Sequence, residues 1–273
     1  MLSRMQEHLR MTKTDENAQD FKSLFGGIRV DSRHLVSLAG FAIVLLAWQI
    51  SAQFSGLPET IYPKPTTVWN EIIAQWGLLV EHSYVTLKEI LWGFGLAILI
   101  GVPLAIAMTF IRALDNLFLP VLVVMNSVPK VAIAPLLVLW LGYGTQTNVF
   151  LSVLVAVFPI IINTVVGLKT IDDELIKLGK VMGGNAMRIF FRIRLNSALP
   201  SIFAGLKLGI TLATIGAIFG EMIAGQKGVG YLAQYAASQL LTPLAFACIV
   251  AMSLLGVALF YLVVLLENIV VKS

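Results

Sequence analysis

Apolar positions follow one another with few interruptions over stretches of about 20 residues, the length a helix needs to cross a bilayer. Such stretches lie near 35–54, 83–109, 116–140, 147–168, 201–222 and 241–267. In hydrocarbon each backbone donor and acceptor needs an internal partner, and no strand-like alternation over about ten residues is present. The pattern therefore predicts an all-α membrane protein with six transmembrane helices. Between the first two stretches, Pro58, Pro63 and Pro65 preclude a regular helix. Val68, Trp69, Ile72, Ile73 and Trp76 then recur at helical spacing, predicting a short amphipathic helix that starts just after Pro65.

Composition agrees with the pattern. The chain of 273 residues is 58% hydrophobic and 12% charged, against about 25% charged in ordinary soluble domains. The net charge is +4, and its placement matters more than its size. The first 34 residues carry Arg4, Arg10, Lys13, Lys22, Arg29 and Arg33, and the segment 169–200 carries Lys169, Lys177, Lys180, Arg188, Arg192 and Arg194. The intervening segments on the other side hold only Lys64 and Lys227. By the positive-inside rule both termini face the cytoplasm. The organisation expected is a polar cytoplasmic tail over 1–34, a transmembrane domain over 35–267 and a cytoplasmic end over 268–273. The first apolar run is long enough to be a membrane helix and is not read as a short signal core.

Few residues offer catalytic chemistry. Cys248 is the sole cysteine, so there is no intrachain disulfide and no cysteine zinc site. His8, His34 and His82 lie in the tail or near span ends, where they read as interfacial polar groups. No phosphate-binding Gly-x-x-x-x-Gly-Lys-Ser/Thr run occurs. Polar groups inside the spans are more telling, because facing lipid costs them several kcal/mol on some scales. Asn126, Ser127 and Lys130 in the third span, Asn163 in the fourth, and Thr211 and Thr214 in the fifth are candidates to line a solute pathway, and Lys130 suits an anion. Pro120, Pro129 and Pro135 mark the third span for a kink, with Asn126-Ser127-Val128-Pro129-Lys130 the expected discontinuity. Glu221 either lines the end of the pathway or hydrogen-bonds the turn leading to Tyr231, and Lys88 and Glu89 are ambiguous between pathway and bundle. Gly205 with Gly209 and Gly216 with Gly220 form small-x-x-x-small steps that favour close helix packing.

Segment 169–200 is the longest charged interruption after the tail. Asp172 or Asp173 caps a first short helix with Leu175, Leu178 and Met182 on one face, and Gly183-Gly184 ends it. A second amphipathic element follows, with Met187, Phe190, Phe191 and Leu195 beside Arg188, Arg192 and Arg194. Two short helices about a glycine corner make a docking element for a soluble partner.

This segment resembles the cytoplasmic loop of binding-protein-dependent ABC importer permeases, whose pattern is Glu-Ala-Ala, three residues, Gly, nine residues, Ile-x-Leu-Pro. Gly183, Ile193 and Leu195 occupy the Gly, Ile and Leu positions; Lys177, Leu178, Gly179 and Asn196 depart from the pattern. The runs Ser127–Leu136, Trp140–Gly144, Phe219–Gly225 and Gly228–Tyr231 are similar to the nitrate/sulfonate/taurine-type branch. The resemblance implies a type I permease fold in a bacterial inner membrane, a second copy of the chain, two cytoplasmic ABC ATPases and an external substrate-binding protein. It implies no cofactor in this chain, with ATP and Mg on the ATPase. It implies docking through Leu178, Met182, Gly183, Gly184, Met187, Ile193 and Leu195, and a small solute such as a sulfonate, taurine or nitrate. The other readings are a stand-alone channel or secondary transporter, or a membrane scaffold subunit.

Overall fold

The computed structural model describes residues 32–271, and within them the structured elements are helical. The tail expected over 1–34 lies mostly outside the described residues. Helix α1, Ser32–Phe54, forms a unit of its own, of which Ala39–Phe54 is an apolar helix shorter than a full span. The second unit begins at Gly56 and holds α2 (Pro65–Ala74), α3 (Trp76–Phe110), α4 (Arg112–Ser127), α5 (Lys130–Leu141) and α6 (Thr145–Lys169). It continues with α7 (Asp173–Val181), α8 (Ala186–Ile189), a π-helical turn at Phe190–Arg194, α9 (Leu195–Ala224), α10 (Val229–Ser238) and α11 (Thr242–Val271).

Among the described residues four helices are long and apolar enough to cross a membrane: α3, α6, the run ending in α9, and α11. A fifth span exists if α4 and α5 are taken together, and they meet at 105°. The stretch expected over 116–140 is a bent pair, and its break falls at the expected discontinuity Asn126-Ser127-Val128-Pro129-Lys130. Val128 is extended and Pro129 has no N–H to give, so the ladder of α4 stops at Ser127 and a new helix starts at Lys130. Helix α2 begins at Pro65, where the missing N–H costs nothing. Helix α11 runs on to Val271, past the end expected at 267.

The core is a three-helix contact centred on α6. Ile90 and Ala97 of α3, Ala156 and Ile160 of α6, and Ile210, Ala213 and Ala217 of α9 pack together, closed by Leu259 and Val263 of α11. Gly205, Gly209, Gly216 and Gly220 form one stripe of α9 that lies directly on α6. A Cβ at Gly216 would stand 2.8 Å from Ser152 Cα, and one at Gly220 2.7 Å from Asn148 Cα. On the other side of α6, Gly93 of α3 admits the Ser152 side chain, whose hydroxyl donates to Ala213 O at 2.9 Å. Lipid provides no hydrophobic drive between helices, so this close approach and its dispersion contacts hold the bundle.

Candidate translocation and coupling sites

At the break between α4 and α5, Lys130 reaches back over the end of α4. Its Nζ donates to Asn126 O at 3.1 Å and to Asn126 Oδ1 at 2.8 Å. A cation at the carbonyl end of a helix satisfies acceptors that have no N–H partner and complements the helix dipole. Lys130 lines two cavities. One, of about 90 Å³, adds Asn126, Met125, Phe158 and other apolar side chains of α4, α5 and α6. The second, of about 260 Å³, runs past Pro129 to Leu151 and Val155 of α6 and to Ile215, Gly216 and Phe219 of α9. One lysine thus borders two largely apolar hollows.

The other pathway candidates do not join it. Ser127 Oγ donates to Val123 O at 3.1 Å. Asn163 Nδ2 donates to Pro159 O at 2.8 Å, Thr211 Oγ1 to Lys207 O at 3.0 Å, and Thr214 Oγ1 to Ile210 O at 2.9 Å. These back-bonds let polar side chains sit in a span by using carbonyls of the preceding turn. Thr214 is buried, with its methyl toward Gly256 of α11. Glu221 is 1% exposed, and its Oε2 accepts from Gly230 N at 2.7 Å, so it fastens the turn before Tyr231.

Polar and charged pairs across the helices also hold the bundle. Lys207 of α9 and Glu267 of α11 pair at 2.9 Å, and Lys169 of α6 pairs with Asp115 of α4 at 2.7 Å. Asn148 Nδ2 donates to both oxygens of Glu89, at 3.1 and 3.0 Å. The available signal was a lysine inside a glycine-rich apolar run and an acid near the end of the next. Lys88 and Glu89 do not pair with one another: Lys88 Nζ lies 4.1 Å from the centre of the Tyr84 ring.

The corner after α6 is built by caps at each step. Asp172 Oδ1 accepts from Glu174 N at 2.9 Å and starts α7. The helix ends with Gly183 N donating to Lys180 O at 3.0 Å and Gly184 N to Gly179 O at 2.9 Å, the paired bonds of a Schellman close. That close needs a left-handed residue, and Gly183 supplies it at φ +76°. Asn185 Oδ1 then accepts from Arg188 N at 2.9 Å and starts α8.

The base is anchored by Phe190, packed with Leu168, Ala198 and Ile202 and against the Phe110 ring at 5.1 Å. The departure at Gly179 has a steric reason, since a Cβ there would stand 2.7 Å from Ile193 Cδ1. Leu178, Met182, Gly183 and Met187 are exposed at the tip, Met182 to 78%. Ile193 and Leu195 are half-buried and turn inward to Gly179 and to the Phe190 cluster, so they brace the corner instead of facing outward. Gly184 is half-buried in the corner itself.

Residues 97–272 match the family model of the binding-protein-dependent transport system inner membrane component. The chain belongs to the binding-protein-dependent ABC transporter permeases. Within that family it falls in the branch that includes sulfonate and taurine permeases. It is 36% identical over 234 residues to the riboflavin transport system permease of Chloroflexus aurantiacus, covering 84% of this chain and 87% of that one. It is 34% identical over 229 residues to the formylaminopyrimidine transport permease of Halalkalibacterium halodurans, covering 84% and 92%. Among solved structures, the methionine ABC transporter in an inward-facing conformation matches with a TM-score of 0.58 and 19% identity, covering 73% of this chain and 97% of that one. That likeness shows the type I permease fold. The permease is a multi-pass inner-membrane component of an importer.

Proposed function

We propose that this permease forms the membrane path of an ATP-driven importer as a homodimer, with two cytoplasmic ABC ATPases and an external substrate-binding protein that delivers a small solute. The corner around Gly183 carries the reading: an exposed apolar tip, stiffened by three caps and rooted through Phe190 in α6 and α9. Leu178, Met182, Gly183 and Met187 seat in the ATPase, while Gly184, Ile193 and Leu195 keep the corner rigid. ATP and Mg belong to the ATPase, and this chain needs no cofactor. With both termini cytoplasmic and α1 as a span, six spans result, and the segment 169–200 lies on the ATPase side. Displacement of the corner would drag α6 and α9 together, because the glycine stripe couples them without slack.

The solute proposed is a small anion, such as a sulfonate, taurine or nitrate. Lys130 is the observation behind it, a cation bordering two cavities beside Asn126. A flat heterocycle is the second reading, favoured by the apolar walls of those cavities and by relatives named for riboflavin and formylaminopyrimidine. Purification of the permease with its ATPase, followed by ATP hydrolysis with binding protein across both solute classes, tests the proposal. Stimulation by one class, lost in Gly183→Val while the subunits still co-purify, supports it. No ATPase in the purified complex would overturn it.

A further inference from the structure

Glu89 of α3 and Glu221 of α9 are 2% and 1% exposed, and their carboxyl groups interact with each other. Glu89 receives both bonds from Asn148 Nδ2 and contact from the Thr145 hydroxyl, and Glu221 Oε2 receives Gly230 N–H. Oε1 of Glu221 is buried without a donor. Thr86 lies beside Glu221, its hydroxyl donating to His82 O at 3.2 Å and accepting from Val229 N at 2.8 Å. Oδ1 of Asn148, which is 1% exposed, also lacks a donor.

The backbone is shaped to allow this approach. Gly228, at φ +111°, passes so close that a Cβ would stand 2.1 Å from Glu221 Oε1, and one at Gly230 would stand 2.9 Å from both Glu221 Cβ and Oε2. Two ionised carboxylates in contact, taken out of water, repel each other, and the bonds from Asn148 and Gly230 leave Oε1 of Glu221 without a donor. A proton between them supplies the missing donor and removes one charge.

We propose that Glu89 and Glu221 hold one proton between their carboxyl groups, a proton-binding site that fastens the end of α9 and the start of α10 to α3 and α6. A cavity gives the proton access. Glu89 and Asn148 line a cavity of about 500 Å³ with Thr145, Gln226, Lys88 and Lys227. The other titratable groups about the pair are those two lysines, of which Lys227 pairs with Glu81 at 3.4 Å, together with His82 and Tyr231. His82 Nδ1 sits 3.1 Å from Gly228 N and 2.9 Å from Gly228 O, so it holds the same turn from the opposite side. Loss of the shared proton leaves two negative charges under that turn, whose repulsion parts α9 from α3 and loosens the turn at Val229 and Gly230.

Infrared spectroscopy of the complete transporter in lipid, paired with amide hydrogen exchange, tests the site. At neutral pH the wild type is expected to show a protonated-carboxyl band that E89Q/E221Q lacks. Raising the pH is expected to remove that band and, over the same range, to speed exchange at Val229 and Gly230 beyond the base-catalysed trend of neighbouring surface amides. In E89Q/E221Q the excess is expected to vanish. Should that variant fail to fold, the wild-type titration decides alone, through coincidence of band loss and exchange. A wild type with no titrating band, a band displaced by sodium at constant pH, or a band whose loss leaves exchange at Val229 and Gly230 unchanged would each overturn the proposal.

Discussion

Replacing Gly216 by alanine adds one methyl group where α9 touches α6. Its Cβ would stand 2.8 Å from Ser152 Cα and 2.9 Å from Leu151 O, both backbone atoms that no rotamer change can move. Non-bonded carbons are comfortable at about 3.5–4.0 Å, so the helices must part by roughly 0.7 Å, and a gap of that size forfeits a quarter to a half of each facing contact. Overpacking of this kind costs about 1–3 kcal/mol. Gly209→Ala meets the movable end of Ile160 at 2.8 Å and is expected to cost less. Gly95→Ala meets nothing within 4 Å and gains helix propensity of up to about 1 kcal/mol. The sole cysteine provides the assay: Cys248 is fully buried, so a thiol-reactive dye reports unfolding of the solubilised permease. The expected order of Tm is G95A at or above wild type, then G209A, then G216A, with shifts of about 2–4 °C per kcal/mol for chains somewhat shorter than this one. Equal Tm for G216A and G95A would refute the close-packing argument.

Other substitutions probe the remaining contacts. Lys207→Met and Glu267→Gln each leave a charge without its partner between α9 and α11, at a cost of roughly 1–3 kcal/mol; the double variant is expected to recover much of the lost Tm, and strict additivity would argue against the pair. Asp172→Ala removes the first cap of the coupling corner, about 1 kcal/mol, and is expected to speed amide exchange in α7 without lowering the Tm of the bundle. Hydrogen bonds from Lys64 and then Thr67 hold the Glu59 carboxyl below its ordinary range. A depressed acid contributes order that is present above its unfolded value and lost as pH falls through its folded one. Amide exchange over residues 58–64, taken relative to the intrinsic chemical rate at each pH, is therefore expected to rise on acidification below the usual glutamate range, and Glu59→Gln to abolish that dependence.

Much of this architecture was legible because membrane helices announce themselves by length and apolarity. The amphipathic helix after Pro65, the cap at Asp172 and the glycine end at Gly183 follow from local rules that tertiary contacts did not override. The α4–α5 break was legible as a weakness at Pro129 but not as a 105° turn, since the angle depends on what α6 offers the two pieces. Ile193 and Leu195, given a docking role by the resemblance, are half-buried, and their spacing in the loop does not reveal that Gly179 leaves a hollow for one and the Phe190 cluster a seat for the other. The acid pair escaped the sequence for a similar reason. Glu89 and Glu221 lie on separate spans, and only the shared face on Asn148 and the passing glycines bring them together.

The most direct test of the account is uptake of labelled solute into proteoliposomes that contain the permease, its ATPase and its binding protein. Accumulation that requires internal ATP and the external binding protein, falls in Lys130→Met and disappears in Gly183→Val is the expected result. Uptake by this chain alone, without ATPase or nucleotide, would contradict it.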